Sequence, residues 1–386
     1  MTEEIPLIPF TGVPFCRSEY ERRHQKVFAA MERANLDALL VTAHGHLRYL
    51  TGYHGYGGYF APFPLILAPG RTPTFVVREF EVEAVRAESC IDDIVGYTQQ
   101  YDFAKECAGV LRRFGLQQDR VGFELGCWNL APADLHALQA QLPDMRVADA
   151  SRLVASVAAV KSESELEVMR DVMALTDLAV RVFHNSLREG VTEAEVSAII
   201  EAEVNRAGGE MRPARTLVFG ERTRLAHGSP GPNPIRNNQP AMTEMGAWKY
   251  GYAVGLVRSA VLGRHAEAES LHALAVDALE ATIDAIKPGA TAGEVDAAGR
   301  KVIERLGRGR VFRHRAGYQT GINWTERGNL SLEPGAGDLL ETGMTLHMPY
   351  ILFGDTGCLF GTSEHVLVTD RGAEVLSGTP HTLHRV

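Results

Sequence analysis

Three side chains in this sequence could together break an unreactive C–N bond: Glu244, Glu364 and His227. Amidines and guanidines resist hydrolysis because resonance stabilises their central carbon. Cleaving one takes a charge partner for the cation, a base or carboxylate nucleophile, and an acid for the leaving nitrogen. Glu244 can be nucleophile or cation partner. Glu364 can hold cationic nitrogens through paired hydrogen bonds. His227 can carry the proton, because an ordinary imidazole titrates near neutral pH. Each has a plainer reading. Glu244 can form a structural ion pair with Arg258. His227 can be an exposed histidine of a Gly/Pro-rich loop, and Glu364 an edge-strand residue.

Further residues are candidates for contacting a substrate. Tyr252, Arg258, Tyr318 and His347 lie in the same half of the chain. An arginine in such a place more often orients carboxylates, and Tyr318 and His347 are equally well read as satisfied polar groups of a core. Near the N-terminus, Tyr53, Tyr56, Tyr59 and Phe60 are interleaved with glycines, a ring-lined loop suited to a small cation. Arg78 can take a substrate carboxylate or pair with Glu79 or Glu81.

The elements that must position these residues fall into two domains, 1–155 and 156–386, as 386 residues allow. Residues 18–35 predict an amphipathic helix. Short apolar runs at residues 37–42, 64–68, 74–77 and 121–125 predict strands, with helical patterns between them. That alternation predicts an α/β layer domain. A second domain opens on a long helix capped by Ser162 and Glu165. It holds a repeat: Gly190, Thr192, Glu195 and Val196 match Gly289, Thr291, Glu294 and Val295, each 99 positions later. Both copies read as a helix ending in Gly followed by a Thr-x-x-Glu capping box. Duplication predicts two pseudo-equivalent halves with a cleft between their sheets.

Composition narrows the function classes. Hydrophobic residues make up 45% and charged residues 23%, as in an ordinary soluble protein. A net charge of −9 without a basic, aromatic-interleaved run argues against a nucleic-acid partner. Five cysteines without CxxC spacing fit reduced thiols, and no stretch approaches the roughly 20 apolar residues of a membrane span. A cytoplasmic protein without a membrane partner is the expectation.

The run from Thr243 to Ser259 resembles the strand pair that carries two metal-binding aspartates in the creatinase/prolidase/methionine-aminopeptidase superfamily. The resemblance spans the whole chain. It implies a creatinase-type N-terminal α/β domain followed by a duplicated "pita-bread" catalytic domain. Metal-dependent members hold five ligands: Asp, Asp, His, Glu, Glu. The corresponding positions here are Glu244, Gly255, Tyr318 of the Gly317-Tyr318 pair, Met348 or Pro349 after Gly343-Met344, and Glu364. Two carboxylates and His347 do not make a two-metal site, so the expectation is catalysis without metal or other cofactor.

Two metal-free relatives are similar in detail. The loop from His227 to Arg236 and the pair Glu364-His365 resemble creatinase, although Val257 stands where creatinase has a Glu that holds its guanidinium. Gly317-Tyr318…Gly321-Ile322, Trp324…Glu326-Arg327 and Met344…His347 resemble ectoine hydrolase. The resemblance implies a homodimer that hydrolyses a non-peptide C–N bond in a small amidine-, guanidine- or ectoine-like compound. The alternatives are a metal-dependent Xaa-Pro dipeptidase or aminopeptidase, and a lyase, a biosynthetic enzyme or a non-catalytic binder on the same fold.

Overall fold

A computed structural model describes residues 14–55, 62–98, 102–212, 215–323, 328 and 330–386. The chain divides into two units, the first reaching Ala158 and the second beginning at Ala159.

The first unit is built on one mixed sheet. Its strands are β1 (Ala38–Val41), β2 (Leu65–Leu67), β3 (Thr74–Arg78), β4 (Asp93–Tyr97), β5 (Arg120–Phe123) and β6 (Arg146–Asp149). They lie in the order β4-β3-β2-β1-β5-β6, with β2 antiparallel to both neighbours and the other pairs parallel. All four strands foreseen from the apolar runs are present, each within a few residues of the expected bounds. The helices are α1 (Arg17–Arg33), α2 (His44–Thr51), α3 (Val82–Glu88), α4 (Asp102–Phe114), α5 (Pro132–Gln141) and α6 (Leu153–Ala159). The apolar face of α4, through Phe103, Cys107 and Leu111, meets Leu40, Ile66, Val76, Val121 and Phe123 of the sheet in one core.

The second unit repeats a helix pair. The first copy is α7 (Glu163–Ser186) and α8 (Glu193–Arg206); the second is α9 (Ala266–Ala285) and α10 (Ala292–Arg305). The joints of the two pairs match bond for bond. Gly190 and Gly289 have φ of 85° and 82°, the left-handed conformation that glycine reaches without strain. Thr192 and Thr291 each cap the next helix, and Glu195 and Glu294 each return a 2.8 Å bond to the cap amide. Gly190 and Gly289 donate to Ile235 and Leu340 at 2.9 and 2.8 Å. This is the geometry a duplicated unit would leave.

The strands of this unit make three sheets. One contains β7 (Glu210–Met211), β10 (Ala247–Lys249), β11 (Tyr252–Ala253) and β14 (Gly321–Ile322). A second contains β8 (Thr216–Phe219), β9 (Gln239–Met245), β12 (Leu256–Leu262) and β19 (His384–Arg385). The third contains β13 (Gly317–Gln319), β15 (Ser331–Leu332), β16 (Thr345–Phe353), β17 (Leu359–Thr369) and β18 (Gly372–Val375). Leu346, Met348, Tyr350, Val366 and Val368 of the third sheet pack with Leu271, Ala275, Ala278, Leu279 and Val295 of α9 and α10. Fold class is therefore mixed α/β: a creatinase-like N-terminal domain followed by a pita-bread domain.

Candidate active site

Glu244 stands on β9 between two partner strands, opposite Thr216 of β8 and Val257 of β12. Directly opposed residues share a face, and successive residues alternate. Glu244 and Val257 therefore lie on one face, and Thr243 and Arg258 on the other. The Glu244 carboxylate is half-buried and makes no hydrogen bond or ion pair among the described residues. Gly246, two residues on, permits this crossing: a Cβ there would stand 1.7 Å from the Val254 carbonyl oxygen.

The third sheet meets this strand pair edge to side. The pairings Tyr318↔His347↔His365 and Pro349↔Ser363 put Tyr318, His347, Ser363 and His365 on one face. Tyr318 Oη lies 2.9 Å from His347 Nδ1, and His347 Nε2 lies 2.9 Å from Ser363 Oγ. Ser363 Oγ accepts the Val257 amide at 2.6 Å, and His365 Nδ1 accepts the Gly255 amide at 3.5 Å. With Nδ1 accepting, the His365 proton is on Nε2, which donates to Thr320 Oγ1 at 2.7 Å. Complete burial drives the His365 pKa down to about 3, so the ring is neutral. Behind Thr320, Lys161 Nζ donates to the Thr320 and Ala159 carbonyls at 2.5 and 3.0 Å. Burial lowers the Lys161 pKa to about 8.

Glu364 sits on the opposite face of β17, in register with Met348 and in phase with Val366 and Val368, towards the helices. Its Oε1 accepts from Arg258 Nη2 at 2.8 Å and meets His381 Nδ1 at 2.9 Å. The hydrogen bond from Glu364 raises the His381 pKa. Arg258 also donates to the Ser363 carbonyl at 2.5 Å and the Thr379 carbonyl at 2.8 Å. Asp177 of α7 completes the cluster, accepting from Ser377 Oγ, the Gly378 amide and Thr379 Oγ1.

The residues singled out from the sequence thus separate. Glu244 keeps an open face. Arg258 and Glu364 pair with each other, so the expected Glu244–Arg258 ion pair is replaced by an Arg258–Glu364 pair on the helix-facing side. Strand alternation is the physical reason: Arg258 and Glu364 are each one residue out of phase with the face that carries Ser363 and His365. Tyr318 and His347 bond each other in the buried network. Tyr252 is buried and gives its hydroxyl to Glu165 Oε1 at 2.8 Å, tying β11 to α7. His227 is exposed, in a turn whose neighbours bond β8: Thr216 Oγ1 to the Ala226 carbonyl at 3.4 Å, and Leu217 N to the Gly228 carbonyl at 3.2 Å. That puts its backbone one strand from Glu244. In the first unit, Tyr53 is buried against Phe75, with its hydroxyl 3.4 Å from Glu81 Oε2. Arg78 forms no ion pair among the described residues, and its guanidinium lies 5.6 Å from the Phe80 ring centroid. Tyr56, Tyr59 and Phe60 lie outside the described residues. Ser363 and His381 were not foreseen. The signal for Ser363 was the period-two pattern running back from Val368 and Val366, which puts Glu364 on their face and Ser363 on the other.

A two-metal centre of the kind the resemblance implies does not fit these residues. Both ring nitrogens of His347 and of His365 are engaged, and Glu364 Oε1 is held by Arg258 and His381. Among the described residues no group of three His, Cys, Asp or Glu is arranged to hold a metal ion.

Fold and site together define a two-domain chain of the hydrolase type. Residues 167–370 match metallopeptidase family M24, and residues 23–160 match the creatinase/prolidase N-terminal domain. The chain belongs to the M24 family. Two uncharacterized hydrolase/peptidases of Sinorhizobium fredii are similar over its length. One is 29% identical over 96% of this chain and 97% of its own; the other is 27% identical over 96% and 98%. Among solved structures, dipeptidase PepE from Mycobacterium ulcerans superposes with a TM-score of 0.85 at 23% identity, covering 96% of this chain and 99% of its own. An Xaa-Pro dipeptidase from Bacillus anthracis does so at 0.83 and 22%, covering 95% and 100%. Among the described residues no helix is long and apolar enough to cross a membrane.

Proposed function

We propose that this M24-family chain hydrolyses a non-peptide C–N bond in a small amidine-, guanidine- or ectoine-like compound without a metal ion. The observation that carries the reading is Glu244: a half-buried carboxylate with no partner among the described residues, beside a network in which His347 and His365 are already engaged. A partnerless carboxylate attracts a substrate cation. Glu244 then either holds the cation while water attacks, or attacks the central carbon itself. In both routes the C–N bond breaks and the leaving nitrogen takes a proton, which His227 supplies. Arg258 and Glu364 support the strand from behind. A cytoplasmic homodimer, as the resemblance implies, completes the reading, and sedimentation analysis checks the dimer.

The test is a screen of amidines, guanidines and cyclic amidines with metal-free protein, with and without EDTA. Turnover that survives EDTA and is abolished in Glu244→Gln supports the reading. Turnover only with stoichiometric Mn²⁺ or Zn²⁺ overturns it. Single turnover in ¹⁸O-water separates the two routes, because only a Glu244 ester leaves label in the carboxylate.

The second reading is a metal-dependent Xaa-Pro dipeptidase. It draws on the fold shared with the Bacillus anthracis enzyme, and cleavage of Xaa-Pro dipeptides with added Mn²⁺ would establish it. A lyase or biosynthetic activity would show as non-hydrolytic products in the same screen. A binder would hold a compound without consuming it.

A further inference from the structure

Val257 turns both of its backbone polar groups away from β9. Its amide goes to Ser363 Oγ at 2.6 Å, and its carbonyl to Arg258 Nη1 at 3.0 Å and Thr362 Oγ1 at 3.4 Å. Gly255 likewise sends its amide to His365 Nδ1 at 3.5 Å. On this edge β12 has no strand partner at Gly255 or Val257; two side chains of β17 take the place of a ladder. A buried amide must find an acceptor, so Ser363 and His365 decide where this segment rests. Each is held in turn: Ser363 by His347 Nε2 on its hydroxyl and Arg258 on its carbonyl, His365 by Thr320. Val257 stands directly across from Glu244.

We propose that Ser363 and His365 are positioning residues: they fasten the Gly255–Val257 segment to β17 and through the Val257–Glu244 pairing set where the Glu244 carboxylate stands. Both are completely buried, so they act through the strand and not on the substrate. The inference rests on Glu244 being the working carboxylate of the function proposed above. The requirement is an acceptor at each place. A hydroxyl on residue 363 and a nitrogen or oxygen at the Nδ1 position of residue 365 satisfy it. A methyl or a phenyl ring does not.

The test compares Ser363→Ala and His365→Phe with Ser363→Thr and His365→Asn, which keep the acceptors. Ser363→Cys, a close match in size with a weak acceptor, replaces Ser363→Ala if that variant does not fold. Carbodiimide labelling of Glu244, read by peptide mass spectrometry against Glu83 as a surface reference (side chain 71% exposed), reports the carboxylate without needing a substrate. The expected result is a shifted Glu244:Glu83 ratio in the Ala (or Cys) and Phe variants, restored in the Thr and Asn variants. With a substrate in hand, kcat falls on the order of 10²-fold while KM holds. An unchanged ratio in folded Ser363→Ala or Ser363→Cys and His365→Phe protein overturns the proposal. If Glu244→Gln retains full turnover, the function reading fails instead, and the labelling ratio still decides the positioning.

Discussion

Arg258 and Glu364 form a 2.8 Å ion pair in which each side chain is only 1% exposed. Their strands belong to different sheets, so the pair bolts β12 to β17 behind Glu244. Desolvation of both charges is offset by the Ser363 and Thr379 carbonyls on Arg258 and by His381 on Glu364. Removing one member strands the other. Arg258→Met is expected to destabilise the protein by about 3–5 kcal/mol in urea denaturation, whereas Arg258→Met with Glu364→Leu costs less than the single change. Equal losses in the single and double variants would contradict a coupled pair.

Glu244 is the opposite case. No partner among the described residues depends on it, so Glu244→Gln is expected to leave thermal stability within about 0.5 kcal/mol. Turnover of the compound found in the screen is expected to disappear. A melting point that falls steeply in this variant would mean that the carboxylate serves the fold.

Acid is expected to loosen the second unit through its buried histidines. Burial lowers the pKa of His184 to about 3 and of His272 to about 4, with the Arg258 charge acting in the same direction on both. Both lie below the unfolded value of about 6.5, so the unfolded chain binds more protons between the two. Their contribution is complete above pH 6.5 and is lost as pH falls towards 3–4. His381 has the opposite sign: its raised pKa gives stability that is present at low pH and lost as pH rises through its folded value. Urea midpoints across pH 4–8 should therefore fall on the acid side, and His184→Phe should flatten that slope.

Much of the architecture was legible in the sequence because it is written in local signals. The capping boxes at Ser162, Thr192 and Thr291 and the glycines at 190 and 289 mark helix joints that need only a few neighbouring residues. Apolar runs marked the strands of the first unit. The site was legible as a set of residues but not as an arrangement. Which face a strand residue occupies depends on one-residue parity. Glu364 and Ser363 are neighbours in sequence, yet one meets Arg258 among the helices and the other meets His347. Partners such as Arg258 with Glu364, 106 positions apart, or Asp177 with Thr379, 202 apart, are set by sheet packing that no local pattern records.

Two glycines should respond very differently to the same added methyl group. Gly246 has φ in the ordinary range, but its Cβ would lie 1.7 Å from the Val254 carbonyl oxygen and 2.8 Å from its carbon. These are backbone atoms and cannot swing aside, so β9 and the segment before β12 would have to part at the residue beside Glu244. Gly190 has open space where its Cβ would be, and only its φ of 85° resists substitution. Gly190→Ala is therefore expected to cost about 1–2 kcal/mol, the strain of one left-handed residue. Gly246→Ala is expected to cost about 3 kcal/mol or more, beyond ordinary overpacking, and to abolish turnover with it. Urea denaturation of the two variants compares them directly. A Gly246→Ala protein as stable as Gly190→Ala would mean that the two strands can separate freely, and the close crossing that holds Glu244 in place would have to be abandoned.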